Sequence, residues 1–179
     1  MKNSNKEIVP AKFKKIKKNG KDYWVLIFNF ADFIIDEKPA KFQEDISKDL
    51  DALLKSLKQM MPDGKPSKVK RGVIWEMGDM IIRKRQEIAE KYGIYITNIT
   101  EAIGVMLGLA PRTVNFFIQF RLNVQKKELD EDIPWKVYQI SLLLKDKSKL
   151  KECIELYKKG ELKNTSEVLE YVQKHNKNQ

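Results

Sequence analysis

The sequence predicts a mainly α-helical protein with a small N-terminal β-hairpin, and with a helix-turn-helix inside a multi-helix domain. Three observations carry that expectation. Asn19-Gly20 separates a lysine-rich alternating run from an aromatic, β-branched run. From Phe42 onward apolar residues recur at helical spacing. Finally, Thr100–Gln119 reads TEAIGVMLGLAPRTVNFFIQ, with Gly104 at its fifth place, Gly108 at its ninth and Val114 at its fifteenth.

The elements follow in order. Lys12–Lys18 and Asp22–Phe30 read as the two strands, because Asn-Gly is the favoured two-residue turn where both positions take positive φ. The second strand is almost continuously apolar and so suits burial, an interface between units or a dimer seam. An amphipathic helix is expected from about Phe42 to Met61, with Ile46, Leu50, Leu54, Leu57 and Met61 on one face. Pro62-Asp-Gly-Lys-Pro-Ser67 is the clearest break. It suggests a basic hairpin-plus-helix unit over 1–61, a linker over 62–68 and a helical domain over 69–179. That domain should open with a long helix, about Val69 to Tyr92, with Val73, Trp75, Met80, Ile81 and Ile88 inward and Gly93 ending it. Pro134 starts a helix to about Leu144. Lys149–Lys159, stopped by Gly160, and Ser166 to about Lys174, opened by a capping box of Asn164 and Glu167, close the chain.

The window around Gly108 is the most specific signal. A small residue such as Gly104 lets two helices cross closely, and Gly108 can turn the chain through a positive φ that only glycine adopts cheaply. Val114 would plug the angle between the helices, with Ile103, Leu107, Leu109 and Phe117 also inward. Asn98 with Glu101 forms a capping box for the first helix, and Pro111 suits the first position of the second. An ordinary helical hairpin used as core would share some of these features.

Charge adds direction. Lys and Arg number 35 against 25 Asp and Glu, a formal net charge of +10. The excess is local: residues 1–21 hold eight Lys against one Glu, and 96–127 hold four basic residues against one acidic. A basic surface suits a polyanion, nucleic acid or anionic membrane. The apolar stretches are too short to cross a bilayer, and Met1–Lys21 has no apolar core, so neither a membrane span nor a signal peptide is expected. The single Cys153 and single His175 leave no internal disulfide and no cluster of strong metal ligands. A cytoplasmic, nucleoid-associated protein without cofactor or metal is the expectation.

At about 100° per residue, Val114, Phe117, Ile118 and Leu122 of the second helix share an apolar face. Arg112, Asn115, Gln119 and Asn123 lie opposite, with Lys126 beyond and no carboxylate anywhere from Arg112 to Lys127. Arginine pairs with guanine and carboxamides with adenine in the major groove, so these residues are candidate base readers. Phe116 and Phe120 border that face, where each could pack on other elements, touch a thymine methyl or form a dimer seam; Phe116 is grouped with the base readers. Candidate phosphate contacts are Lys14, Lys15, Lys17, Lys18, Lys68, Lys70, Arg71, Thr113 and Lys126. Any surface helix has a polar face, but few lack Asp and Glu over such a length.

The stretch LGLAPRTVNFFIQFRL resembles the helix-turn-helix of ParB-type partition proteins and of phage and plasmid repressors. A second resemblance covers about Gly72 to Gln173, through Ile74-Trp75-Glu76-Met77-Gly78, Tyr92-Gly93, Arg112–Arg121 and Ile133-Pro134-Trp135. It is to the helical N-terminal domain that precedes PD-(D/E)xK nuclease domains in a bacterial family. Both resemblances imply binding to double-stranded DNA, commonly as a homodimer on paired half-sites.

No enzyme is expected. His175 lies in a lysine- and asparagine-rich tail and Cys153 on an inner helix face. The nuclease-like letters Pro62-Asp63 and Glu161-Leu162-Lys163 fall in loops rather than on a strand pair. The expected function is therefore sequence-specific DNA binding, as a transcriptional regulator or a plasmid or viral partition or replication factor. Two alternatives are a protein-interaction module or non-catalytic nuclease subunit, and single-stranded nucleic acid or RNA binding through Tyr23 and Trp24 of the hairpin.

Overall fold

The computed structural model describes residues 12–18, 21–27, 41–92 and 99–177. Among these the protein is mainly helical. Seven α-helices follow a strand pair: α1 Lys41–Met60, α2 Arg71–Tyr92, α3 Ile99–Leu107, α4 Pro111–Asn123, α5 Trp135–Ser141, α6 Lys147–Lys158 and α7 Thr165–Lys177. Strands β1 Lys12–Lys18 and β2 Lys21–Ile27 pair antiparallel, with Lys12 opposite Ile27 and Lys18 opposite Lys21. The Asn19-Gly20 turn, Gly93 and Asn98 lie outside the described residues.

The chain packs into two compact units that do not follow its order. One comprises Met1–Lys58 and Arg83–Val114, the other Gln59–Ile82 and Asn115–Gln179. Residues 62–68 lie within the second unit. They form a tight turn at Gly64, whose φ is 61°, and a short 3-10 helix, Pro66–Lys68.

In the first unit α1 buries Ile46, Leu50, Leu53 and Leu57 at i, i+4, i+7 and i+11, one stripe of a 3.6-residue helix. Leu53 takes the place expected for Leu54. Ile88 and Tyr92 of α2 and Ile99, Ala102 and Ile103 of α3 are buried too. The Tyr92 hydroxyl donates to Asp49 Oδ2 at 3.3 Å, and Lys91 lies 3.8 Å from the same carboxylate.

In the second unit α2 buries Ile74, Met77 and Ile81, whereas Val73, Trp75 and Met80 are only half-buried. Gly78 explains this choice of face. A Cβ there would stand 2.1 Å from Phe117 O and 2.8 Å from Phe117 C, so only glycine lets α2 meet the backbone of α4 so closely. Phe120 is fully buried, its ring edge-on to Trp135 at 5.2 Å and to Tyr138 at 4.8 Å. Of its three expected roles, core packing is the one it takes. The helices α5, α6 and α7 pack on one another around Val137, Leu150, Cys153, Val168 and Val172. Burial pushes the Cys153 thiol pKa up, as suits an inert core cysteine.

Capping is explicit in the same unit. Asp146 accepts from the Ser148 backbone N–H at 2.7 Å and so begins α6 two residues earlier than the sequence suggested. Asn164 Oδ1 accepts from the N–H groups of Ser166 and Glu167 at 2.9 and 3.0 Å, and Glu167 reaches back to the Lys163 N–H at 2.6 Å. These bonds satisfy amide donors that α7 cannot pair internally.

Candidate nucleic-acid interface

The turn between α3 and α4 is built by two glycines with different tasks. Gly108 has φ 69°, its N–H donates to Val105 O at 3.3 Å, and the Leu109 N–H donates to Gly104 O at 2.7 Å. That pair of bonds is the Schellman motif, which closes a helix by turning one residue left-handed. Nothing lies within 4 Å of a Cβ built on Gly108, so its requirement is conformational. Gly104 is the reverse case. A Cβ there would meet Leu109 O at 2.8 Å and Pro111 N at 3.3 Å, both backbone atoms that cannot swing aside.

Helix α4 begins at Pro111, whose missing N–H costs nothing at that position. Val114 and Phe117 are fully buried and Ile118 nearly so, as the apolar face requires. Leu107 and Leu109 are half-buried. Leu122 departs from its expected inward place and is 52% exposed. It stands at the edge of the apolar stripe, in the last turn of α4.

The candidate base readers sit as follows. Arg112 and Asn115 are exposed, while Phe116, Gln119 and Asn123 are half-buried. Asn123 is not independent of Gln119: its Nδ2 donates to Gln119 O at 2.8 Å and to Gln119 Oε1 at 3.2 Å.

The candidate phosphate contacts divide. Lys68 and Lys70 are exposed, Lys68 with Asp63 at 4.0 Å, and Thr113 is half-buried with its N–H bonded to Ala110 O. The side chains of Lys14, Lys15, Lys17 and Lys18 lie outside what the structure describes. Lys126 is exposed but paired with Glu76 at 2.8 Å, and its ammonium stands 5.6 Å from the Trp75 ring centroid. Arg71 must be corrected. Only 8% of it is exposed, its guanidinium donates to Val69 O, and burial pulls its pKa below the ordinary arginine value. Its backbone N–H and that of Gly72 donate to the Glu131 carboxylate at 2.6 and 2.8 Å, so the residue serves the N-terminus of α2.

Sequence reasoning missed what ties α4 to α2 in the second unit. Arg121 Nε donates to Asp79 Oδ1 at 2.6 Å and its guanidinium lies 4.3 Å from the Trp75 ring centroid. The Trp75 indole N–H donates to Val124 O at 2.8 Å, where the last carbonyls of α4 lack helical partners. The only signal for this contact was Gly78 within an otherwise good helix.

Compared with protein-family models, with curated proteins and with solved structures, the chain finds no match. No single helix among the described residues is long and apolar enough to cross a membrane.

Proposed function

We propose that this chain binds double-stranded DNA with sequence preference, using α3 and α4 as a helix-turn-helix whose second helix enters the major groove. The observation that carries this reading is the coincidence of two independent properties on α4. The turn before it meets the two glycine requirements of the motif, at Gly104 and Gly108. Its polar side then presents Arg112, Asn115 and Gln119 without one carboxylate from Pro111 to Lys127. A helix used only as core has no need of both.

In this mechanism Arg112 reads guanine and Asn115 and Gln119 read adenine by paired hydrogen bonds, each worth roughly 1–3 kcal/mol of discrimination. Exposed Lys68 and Lys70, and Lys126 once released from Glu76, hold phosphates and fix the register. Two copies would bind paired half-sites. A regulator, a partition protein or a replication factor would all use such a site.

Selection of bound sequences from random duplex DNA, with wild type beside Arg112→Ala at moderate salt, tests the proposal. A motif enriched by wild type and relaxed by the variant is the expected result. Retention of DNA without any enrichment would limit the protein to electrostatic binding. Failure to retain DNA would reduce α3 and α4 to a structural hairpin.

A further inference from the structure

A cavity of about 210 Å³ opens beside the C-terminal end of α4, walled by Asn123, Val124 and Glu128, by Tyr138 of α5 and by residues of α6, all of the second unit. Its floor is apolar: Val124, Tyr138, Leu150 and Ile154 line it and are each at most 7% exposed. Its rim carries both signs, with Lys151 and Lys158 set against Glu128 and Glu155. The rim charges already pair: Lys151 Nζ lies 2.9 Å from Glu128 Oε1, and Lys158 Nζ lies 3.4 Å from Glu155 Oε1 and 3.7 Å from Asp130 Oδ2. Hydrogen bonding from Lys151 holds the Glu128 carboxyl pKa below its ordinary value.

From this arrangement we infer that the cavity is a binding site for a small zwitterion with an apolar side chain, a free aliphatic α-amino acid. Size excludes large ligands, because drug-sized molecules occupy cavities of about 300–1,000 Å³. Charge then selects among small ones. A simple carboxylate would satisfy the lysines but set a negative charge against Glu128 and Glu155. A simple amine would do the reverse. A zwitterion exchanges one ion pair within the rim, that of Lys151 with Glu128, for two across it, while Lys158 keeps Asp130 and Glu155, so no charge loses its partner. The exchange costs little, since the side chains of Lys151 and its partner Glu128 are 55% and 35% exposed, and solvent-screened pairs contribute little to stability. The net gain comes from covering Leu150 and Ile154 with an aliphatic group, a hydrophobic term that a ligand lacking a side chain cannot supply. The inference does not rest on the DNA-binding proposal, although Asn123 of α4 also lines this cavity.

Calorimetric titration of the full chain without DNA tests the inference. The probes are L-leucine, 4-methylpentanoate as the carboxylate-only analogue, 3-methylbutylamine as the amine-only analogue, and glycine. Saturable binding of leucine is expected, with each single-charge analogue at least tenfold weaker and glycine silent. Methyl signals of Leu150 and Ile154 should shift with leucine at the same midpoint. Ile154→Trp, which fills the floor, should abolish binding. Lys151→Met, at an exposed position, should weaken it at least tenfold. No saturable binding of leucine, equal binding of either single-charge analogue, or binding unchanged by Lys151→Met would each overturn the inference.

Discussion

Asn123 Nδ2 donates to Gln119 Oε1 at 3.2 Å and to the Gln119 carbonyl at 2.8 Å, one turn back along α4. A carboxamide that reads adenine must present its oxygen and its nitrogen in a fixed sense, oxygen to the exocyclic amine and nitrogen to N7. A donor held against Oε1 fixes that sense and leaves Gln119 Nε2 for the base. Asn123 therefore acts as a positioning residue for Gln119 in the proposed mechanism.

Asn123→Ala is accordingly expected to relax base preference at the same base pair as Gln119→Ala. The double variant should lose little more than Gln119→Ala alone, since residues that act as one unit are not additive. Sequence selection with the three variants checks this. Relaxation at a different base pair would make Asn123 a reader in its own right.

The two close-packed glycines give a prediction about stability. Gly78→Ala would drive a Cβ to 2.1 Å from the Phe117 carbonyl oxygen, and Gly104→Ala to 2.8 Å from that of Leu109. Backbone must move in both cases, and overpacking of this kind costs about 1–3 kcal/mol or more. Urea denaturation should show both variants destabilised, Gly78→Ala more than Gly104→Ala. Gly108→Ala meets no steric obstacle and should cost about 1 kcal/mol, through its positive φ alone. An order in which Gly108→Ala is the most damaging would contradict the packing described.

Lys126 connects electrostatics to affinity. Glu76→Gln removes the carboxylate 2.8 Å from its ammonium and frees it for a phosphate. Tighter DNA binding at every sequence is expected, without a change of motif. Lys126→Met should lower affinity uniformly and reduce the slope of log K against log salt by roughly 1. Affinity measured across a salt series distinguishes these effects from a loss of base reading.

Acid should weaken the fold through two carboxylates. Lys151 depresses the pKa of Glu128, and hydrogen bonds from the Ser148 hydroxyl and backbone depress that of Asp146. A folded-state pKa below the unfolded one stabilises at pH values above the unfolded pKa, roughly 4 for carboxylates. That contribution disappears as pH falls through the depressed folded value. The urea midpoint should therefore hold between pH 6 and pH 8 as far as these groups are concerned, and fall below about pH 4. Asp146→Asn keeps a capping oxygen but cannot titrate, so it should lose less stability than wild type between pH 7 and pH 3.

Residues whose requirement is local were legible in the sequence. Gly108 must adopt a positive φ, Pro111 fits a helix start, and Asn164 with Glu167 caps α7 whatever surrounds them. Residues placed by distant partners were not. Arg71 looked like one more surface cation beside Lys68 and Lys70, because Glu131, sixty residues on, is invisible to any local pattern. Helix α2 is apolar around much of its circumference near Val73, Ile74, Trp75 and Met77, so periodicity alone could not choose the face that Gly78 chooses by contact. Leu122 and Phe120 lie on opposite margins of the apolar stripe of α4. One ended exposed and the other buried because aromatic partners, Trp135 and Tyr138, stand on the Phe120 side. The face assigned to base reading was legible as a composition, but the bond between Asn123 and Gln119 was not.

The interleaving of the two units constrains how the chain can be made and cut. During synthesis the first unit stays incomplete until Val114 has emerged, by which time Gln59–Ile82 of the second is already waiting for partners from Asn115 onward. Residues 59–82 thus spend that interval with Ile74, Met77 and Ile81 uncovered, a stretch on which a nascent chain is exposed to aggregation or chaperone capture. The same ordering means that a fragment starting at residue 69 carries all of neither unit, although Pro62–Ser67 is the most inviting place in the sequence to divide it.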